Sequence, residues 1–166
     1  GRTFERVKSV LQDELGYSFD AKIVRGTDFG VPQHRARLYM VGFKGNANNK
    51  KFTFKFPEPI PLKKSMSDIF GAPCAKKIGY TLRVGGRGSG LHDRRNWDTY
   101  LVEGKARRLG VEEGKKMMGL PKSFKFPVTE SQAMKQLGSS VVVPAINAVA
   151  KEVLKTLEIH YGGKGK

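Results

Sequence analysis

The run Gly30-Val31-Pro32-Gln33-His34-Arg35-Ala36-Arg37-Leu38-Tyr39-Met40-Val41-Gly42-Phe43 decides how this chain is read. Gln33, Arg35 and Arg37 stand on alternate residues and lead straight into an apolar stretch. In an extended segment, alternation at period two sets all three on one face. Two guanidiniums beside a neutral amide, held on a rigid strand, suit an anionic or carbonyl-rich ligand such as a phosphate or a pyrimidine oxygen. The competing reading is a solvated edge strand whose charges discourage aggregation. These residues alone leave both open.

Working outward, Phe4, Val7, Val10, Leu11 and Leu15 recur at helical spacing, which predicts a helix over 3–15 stopped by Gly16. Phe19 to Val24 alternates and predicts a strand, followed by a turn at Asp28-Phe29-Gly30 and a second strand over Arg37–Phe43. Two strands and a helix cannot cover both faces of a sheet, so this unit is expected to be the edge of a larger one. Lys44 to Lys64 is basic, interleaved with Phe52, Phe54, Phe56 and prolines, and reads as short strands and loops. A short helix is expected over 65–71, strands at Thr81–Val84 and Thr99–Val102, and a helix at Val111–Met118 closed by Gly119. The last long helix is expected from Ser139 to Ile159, with Val142, Ile146, Val149, Val153 and Leu157 on one face and Pro144 in its first turn. Residues 161–166 read as a disordered tail.

Charge narrows the partner. The 166 residues carry 31 Lys+Arg against 15 Asp+Glu, a net charge of +16. Such an excess repels itself unless a polyanion neutralises it, and nucleic acid is the favoured partner. No apolar run approaches the roughly 20 residues of a spanning helix, and no signal-peptide pattern opens the chain. A single cysteine forms no internal disulfide and suits a reducing, cytoplasmic setting. His34, His92 and His160 are too scattered to form a metal-ligand cluster with it.

The second informative stretch is Thr81-Leu82-Arg83-Val84-Gly85-Gly86-Arg87-Gly88-Ser89-Gly90-Leu91-His92-Asp93-Arg94-Arg95-Asn96-Trp97-Asp98. Arginine reads guanine edges bidentately, asparagine and histidine address other edges, and glycine lets the backbone approach a sugar-phosphate chain. The glycines lack the Lys-Ser/Thr ending of a P-loop. The alternative is a flexible basic loop beside a buried Trp97. Cys74, flanked by Lys76 and Lys77, has no histidine or carboxylate near it in sequence to act as a base, and reads as an unpaired thiol. Glu112-Glu113 falls in the first turn of a helix, where negative charge is simply favourable.

Taken in order, these stretches resemble the C-terminal half of the DNA (cytosine-5)-methyltransferases. Pro32-Gln33-His34-Arg35-Ala36-Arg37 resembles the family's Gln-x-Arg-x-Arg motif. Arg107-Arg108-Leu109-Gly110-Val111-Glu112-Glu113, with Met117-Met118-Gly119-Leu120-Pro121, resembles its Arg-x-Leu-Thr…Glu…Gly-Phe-Pro motif. Gln136-Leu137-Gly138-Ser139-Ser140-Val141 resembles the final Gln-x-Gly-Asn-Ser-Val, and Thr81-Leu82 fits the dipeptide of a target recognition domain. Gly110 and Ser139 stand where the family usually has threonine and asparagine.

The resemblance implies an α/β fold: the discontinuous edge of a Rossmann-like, S-adenosylmethionine-dependent methyltransferase sheet (1–43 and 135–160), plus a smaller, mixed, mostly β target recognition domain (44–134). It implies supporting catalytic roles for Gln33, Arg35 and Arg37, with Arg37 at the flipped cytosine. Thr81, Leu82, Arg83, Arg87, Arg94 and Arg95 become candidate DNA contacts, Ser140 and Val141 candidate cofactor contacts, and no metal is implied. In such enzymes a thiolate adds to C6 of an extruded cytosine, the methyl passes from S-adenosylmethionine to C5, and a base removes the C5 proton. The Pro-Cys-Gln nucleophile and the cofactor-binding glycines precede the Gln-x-Arg-x-Arg strand in the family and do not occur in these 166 residues. Pro73-Cys74-Ala75 lies in the recognition region and lacks the glutamine.

The expected partners are therefore duplex DNA and an N-terminal catalytic half or subunit that binds most of the S-adenosylmethionine, with homodimerisation through an exposed sheet edge. A bacterial-type, DNA-associated cytoplasmic location is expected. The 166 residues alone are expected to be inactive. The rival functions are a stand-alone DNA-binding regulator of enzymatic ancestry, and an RNA-binding basic protein.

Overall fold

The computed structural model describes residues 1–45 and 52–161, which fall into two compact units. The first combines residues 1–24, 38–58 and the chain from Ala148. Helix α1 (Arg2–Ser9) passes into a π-helical turn (Val10–Glu14), and Gly16, at φ 70°, ends the run as its position predicts. Phe4, Val7, Val10 and Leu11 are half-buried, Phe4 packs on Phe19 (5.8 Å between rings), and Leu15 is exposed.

Strands β1 (Asp20–Val24) and β2 (Arg37–Val41) pair into a two-stranded sheet, extended by an antiparallel bridge between Tyr17 and Lys44. Phe43, Phe52 and Phe54 form the centre of this unit's core with Val149, and Phe43 stacks on Phe52 at 4.7 Å. The Phe52-Phe54-Phe56 alternation is therefore an extended apolar face. It makes no strand, because Pro57, Pro59 and Pro61 follow it and offer no N–H to a ladder. Ile23, Leu38 and Met40 remain about half exposed, each between 48% and 56%.

The second unit comprises residues 25–37 and 59–147. Helix α2 (Met66–Phe70) starts where the Ser65 N–H and hydroxyl both donate to Asp68 Oδ2, at 2.7 and 2.8 Å. Those two bonds hold the Asp68 carboxyl below its usual pKa. Strands β3 (Thr99–Val102) and β4 (Lys105–Arg108) form an antiparallel hairpin. Its two-residue turn puts both Glu103 (φ 49°) and Gly104 (φ 73°) at positive φ, as the right-handed strand twist requires. Helix α3 (Val111–Met118) is capped by Glu113 on the Gly110 N–H (3.0 Å) and ends at Gly119. Helix α4 (Glu130–Ser139) starts at Thr129, and α5 (Val143–Tyr161) follows a short break.

Several expectations need correction. The last helix begins at Val143 and not at Ser139: Ser139 ends α4, a helix the sequence reading did not place, and Ser140 to Val142 leave helical geometry, with Ser140 extended at ψ 175°. Ile146 lies on the exposed side of α5, and Tyr161 belongs to that helix; the rest of the expected tail, 162–166, lies outside the described residues. The 44–134 region is not mostly β. Its strands among the described residues are β3 and β4 alone. Thr81–Val84 forms no strand because side chains, not a neighbouring strand, take the backbone groups of Leu82.

Candidate functional site

Period two holds at the opening run: Gln33 and Arg35 are buried, Arg37 is half-buried, and His34 and Ala36 face solvent. The Gln33 carboxamide accepts from the Leu82 N–H (3.0 Å) and donates to the Met117 carbonyl (2.9 Å). The Arg35 guanidinium donates to the carbonyls of Leu82 (3.0 Å), Gly138 (2.8 Å) and Ser140. A buried cation is tolerable only when its donors are met, and a planar fork can meet several carbonyls at once. Three segments distant in sequence thus converge on two side chains. Neither Gln33 nor Arg35 has its donors turned to solvent, so Arg37 is the member of the trio whose guanidinium reaches solvent. Its Nη1 donates to the neighbouring Ala36 carbonyl at 2.9 Å.

Close backbone approaches explain two glycines here. A Cβ on Gly26 would stand 2.6 Å from the Gln33 carbonyl, and one on Gly138 would stand 2.4 Å from the Arg83 carbonyl carbon. The end of α4 therefore lies directly against the start of the glycine-arginine stretch.

The glycine-rich part of that stretch is ordered by Asn96 to Thr99. Trp97 Nε1 donates to the Gly85 carbonyl at 3.0 Å. Buried Asp98 accepts from the Gly88 N–H at 3.1 Å, and the Thr99 hydroxyl donates to the Ser89 carbonyl at 3.0 Å. Asn96 Nδ2 reaches the carbonyls of Leu91 (3.3 Å) and Thr99 (2.8 Å). The loop is pinned at Gly85, Gly88, Ser89 and Leu91 and is not a free basic tether. Beneath it, the Tyr100 hydroxyl accepts from the Tyr80 N–H (2.9 Å) and donates to the Trp97 carbonyl (3.3 Å). Burial pushes the Tyr100 phenol up, so it stays neutral in this network.

The candidate contacts differ in what they offer. Arg83 and Arg94 are exposed and, among the described residues, have no carboxylate partner. Arg95 is tied to Asp93 through Nε (3.2 Å) and Nη2 (3.0 Å), which holds the Asp93 carboxyl below its usual pKa. Arg87 donates to the Leu109 carbonyl (2.9 Å) and Glu130 (2.8 Å). Thr81 is half-buried, and Leu82, 1% exposed, is a core side chain with no surface to present.

Ser140 spends its N–H on Gln136, its hydroxyl on Leu137 and its carbonyl on Arg35. Val141 is 40% exposed, so this segment presents an apolar side chain to solvent and few free polar groups. Cys74 is half-buried, its N–H donating to the Ser67 hydroxyl (3.0 Å). Among the described residues, no group of three His, Cys, Asp or Glu is arranged to hold a metal, and no single helix is long and apolar enough to cross a membrane. Sequence reasoning gave no role to Asp98, Tyr100, Arg108 and Glu130, and gave Asn96 a base-reading role where the structure has it hold the loop. For Asn96, Asp98 and Tyr100 the visible signal is the dense polar-aromatic run after the glycines; Arg108 and Glu130 have no such local signal.

The family model for C-5 cytosine-specific DNA methylases matches residues 1–84 and 77–155. The chain belongs to this family. It is 32% identical to the type II methyltransferase M.SsoII of Shigella sonnei, over 95% of this chain and 50% of that enzyme. It is 30% identical to M.HhaI of Haemophilus parahaemolyticus, over 95% of this chain and 59% of that one. The chain thus spans a little over half the length of these methylase relatives. In solved structures it resembles Spodoptera frugiperda DNMT2 (TM-score 0.63, 18% identity, 93% of this chain and 63% of that one). It also resembles the Entamoeba histolytica methyltransferase EhMeth (TM-score 0.60, 14% identity, 95% and 58%). The methylase fold is therefore shared despite low identity, and the family implies S-adenosylmethionine as methyl donor.

Proposed function

We propose that these 166 residues supply the DNA-recognising, C-terminal part of a cytosine-5 methyltransferase, acting with a segment that carries the Pro-Cys-Gln nucleophile. Residues 44–134 serve as the target recognition domain, and 1–43 with 135–160 as the edge of the catalytic domain. The observation that carries this is the Gln33–Arg35 clamp. It joins Leu82, at the base of the basic loop, to Gly138 and Ser140 at the end of α4.

Gln33 and Arg35 act as positioning residues, and Arg37 presents a donor to the extruded base, where charge develops as the thiolate adds. Arg83 and Arg94 contact phosphates or guanine edges in duplex DNA, with Thr81, Arg87 and Arg95 alongside. S-adenosylmethionine supplies the methyl group, and Ser140 and Val141 form part of the edge it rests on. The location is cytoplasmic, with the DNA.

The test is reconstitution. The purified chain transfers no labelled methyl group to DNA alone, and adding a segment bearing the Pro-Cys-Gln half restores transfer. Arg37→Ala lowers the restored rate by about 100-fold or more, as loss of a transition-state donor does, while the fold is retained. Methyl transfer by the 166 residues alone would overturn this assignment, as would full activity in Arg37→Ala. Preference for single-stranded RNA over duplex DNA in competition would point to the RNA-binding alternative.

A further inference from the structure

Asp98 is the most unusual charged group outside the Gln33–Arg35 clamp. Its carboxylate is fully buried, yet three donors from two segments face the single oxygen Oδ2: the Gly88 N–H at 3.1 Å, Arg108 Nε at 3.6 Å and Arg87 Nε at 3.7 Å. The Thr99 hydroxyl stands 3.5 Å from the other oxygen. Both arginines remain partly open to solvent, at 29% for Arg87 and 56% for Arg108. They line one cleft with Gly88, Leu109, Gly110 and Glu130. A carboxylate so buried is stable only while its partners stay in place, so it fixes them as much as they satisfy it.

We infer that Asp98 is a specificity-determining positioning residue: it holds Arg87 and Arg108 on the loop face and withholds part of their charge from indiscriminate phosphate binding. Arg108 thereby joins the surface that meets DNA, held in place before contact. Uncommitted surface arginines strengthen binding to any duplex equally, through counterion release. Arginines leaning on a buried carboxylate are spent on DNA only where the geometry rewards leaving or sharing it, which is how charge placement selects partners. This inference rests on the DNA-binding role proposed above.

The experiment measures the salt dependence of binding to a short, fluorescein-labelled, random-sequence duplex. Arg94→Gln is the reference for a free arginine and lowers the log–log salt slope by about one. Arg108→Gln lowers it by clearly less. Asp98→Asn raises the slope of the otherwise wild-type chain by about one to two. In that background Arg108→Gln regains the full decrement of a free arginine. A merely structural role for Asp98 would loosen the loop without this coupling. If Asp98→Asn fails to fold, the comparison of Arg108→Gln with Arg94→Gln in the wild-type background decides alone. Equal decrements there overturn the inference, as does an unchanged slope in folded Asp98→Asn. A wild-type chain that binds the duplex without salt dependence overturns the DNA-binding role itself, a result distinct from the other two.

Discussion

At the scale of single residues, Arg35 and Tyr100 carry the sharpest expectations. Arg35 satisfies carbonyls on three residues from a fully enclosed position. Arg35→Met strands those carbonyls without water, and hydrogen bonds to a charged group contribute about 1.5–3 kcal/mol each before partial relaxation. Urea denaturation should show a loss of about 3–5 kcal/mol, the cost of breaking a buried charged network. Arg35→Lys should recover little of it, because a single ammonium cannot span a fork's acceptors. Tyr100 gives a pH dependence of fixed sign. Its phenol keeps its proton in the folded chain where the unfolded chain releases it, at a pKa of about 10. The folded state then binds more protons, so stability falls as pH rises through about 10. Tyr100→Phe should be less stable at neutral pH, since two hydrogen bonds go, but its decline between pH 9 and about 10.5 should be shallower by urea denaturation.

At the scale of elements, the loop over 85–91 is held from the strand side. Replacing Trp97 by Phe removes the bond to the Gly85 carbonyl while keeping an aromatic ring in place. Hydrogen exchange in residues 86–90 should accelerate in that variant, with global stability lower by about 1 kcal/mol. Unchanged exchange would mean that the other three anchors suffice. The elements also show what the sequence discloses and what it hides. Helix α3 and strand β3 carry their limits in local chemistry: glycines at both ends of the one, β-branched and aromatic residues and a positive-φ turn for the other. The break between α4 and α5 does not, because Ser140 leaves the helix to give its carbonyl to a side chain far away in sequence. The failed strand at Thr81–Val84 has the same origin. Its backbone is claimed by Gln33 and Arg35, and no local pattern announces a tertiary hydrogen bond. In the candidate site, Gln33, Arg35 and Arg37 were legible as a periodic trio. Which of them is buried was not legible from the alternation, since it fixes a face but not what packs against it.

At the scale of the whole molecule, charge and apolar surface pull in different directions. A net charge of +16 keeps copies apart, while Ile23, Leu38 and Met40 leave apolar area about half exposed beside a sheet that has two strands among the described residues. Such a sheet is marginal by itself and its edge is open to pairing. At high salt, where repulsion is screened, light scattering should detect self-association, and Leu38→Lys with Met40→Lys should suppress it. A chain that stays monomeric at every salt concentration would mean that these side chains are not a joining surface.

The clamp has a further consequence for how the chain comes to be folded. The acceptors of Arg35 lie 47, 103 and 105 residues after it. During synthesis at about 5–20 residues per second, the Ser140 carbonyl is made roughly 5–20 s after the guanidinium that needs it. Until then the most enclosed cation in this unit has no finished home, and long-range closure of this kind is slow. Maturation of the Leu82 segment at the base of the loop is thereby tied to the arrival of the C-terminal helices, so a ribosome stalled before residue 138 would display the loop with its anchors from residues 96–99 but without the finished clamp at its base.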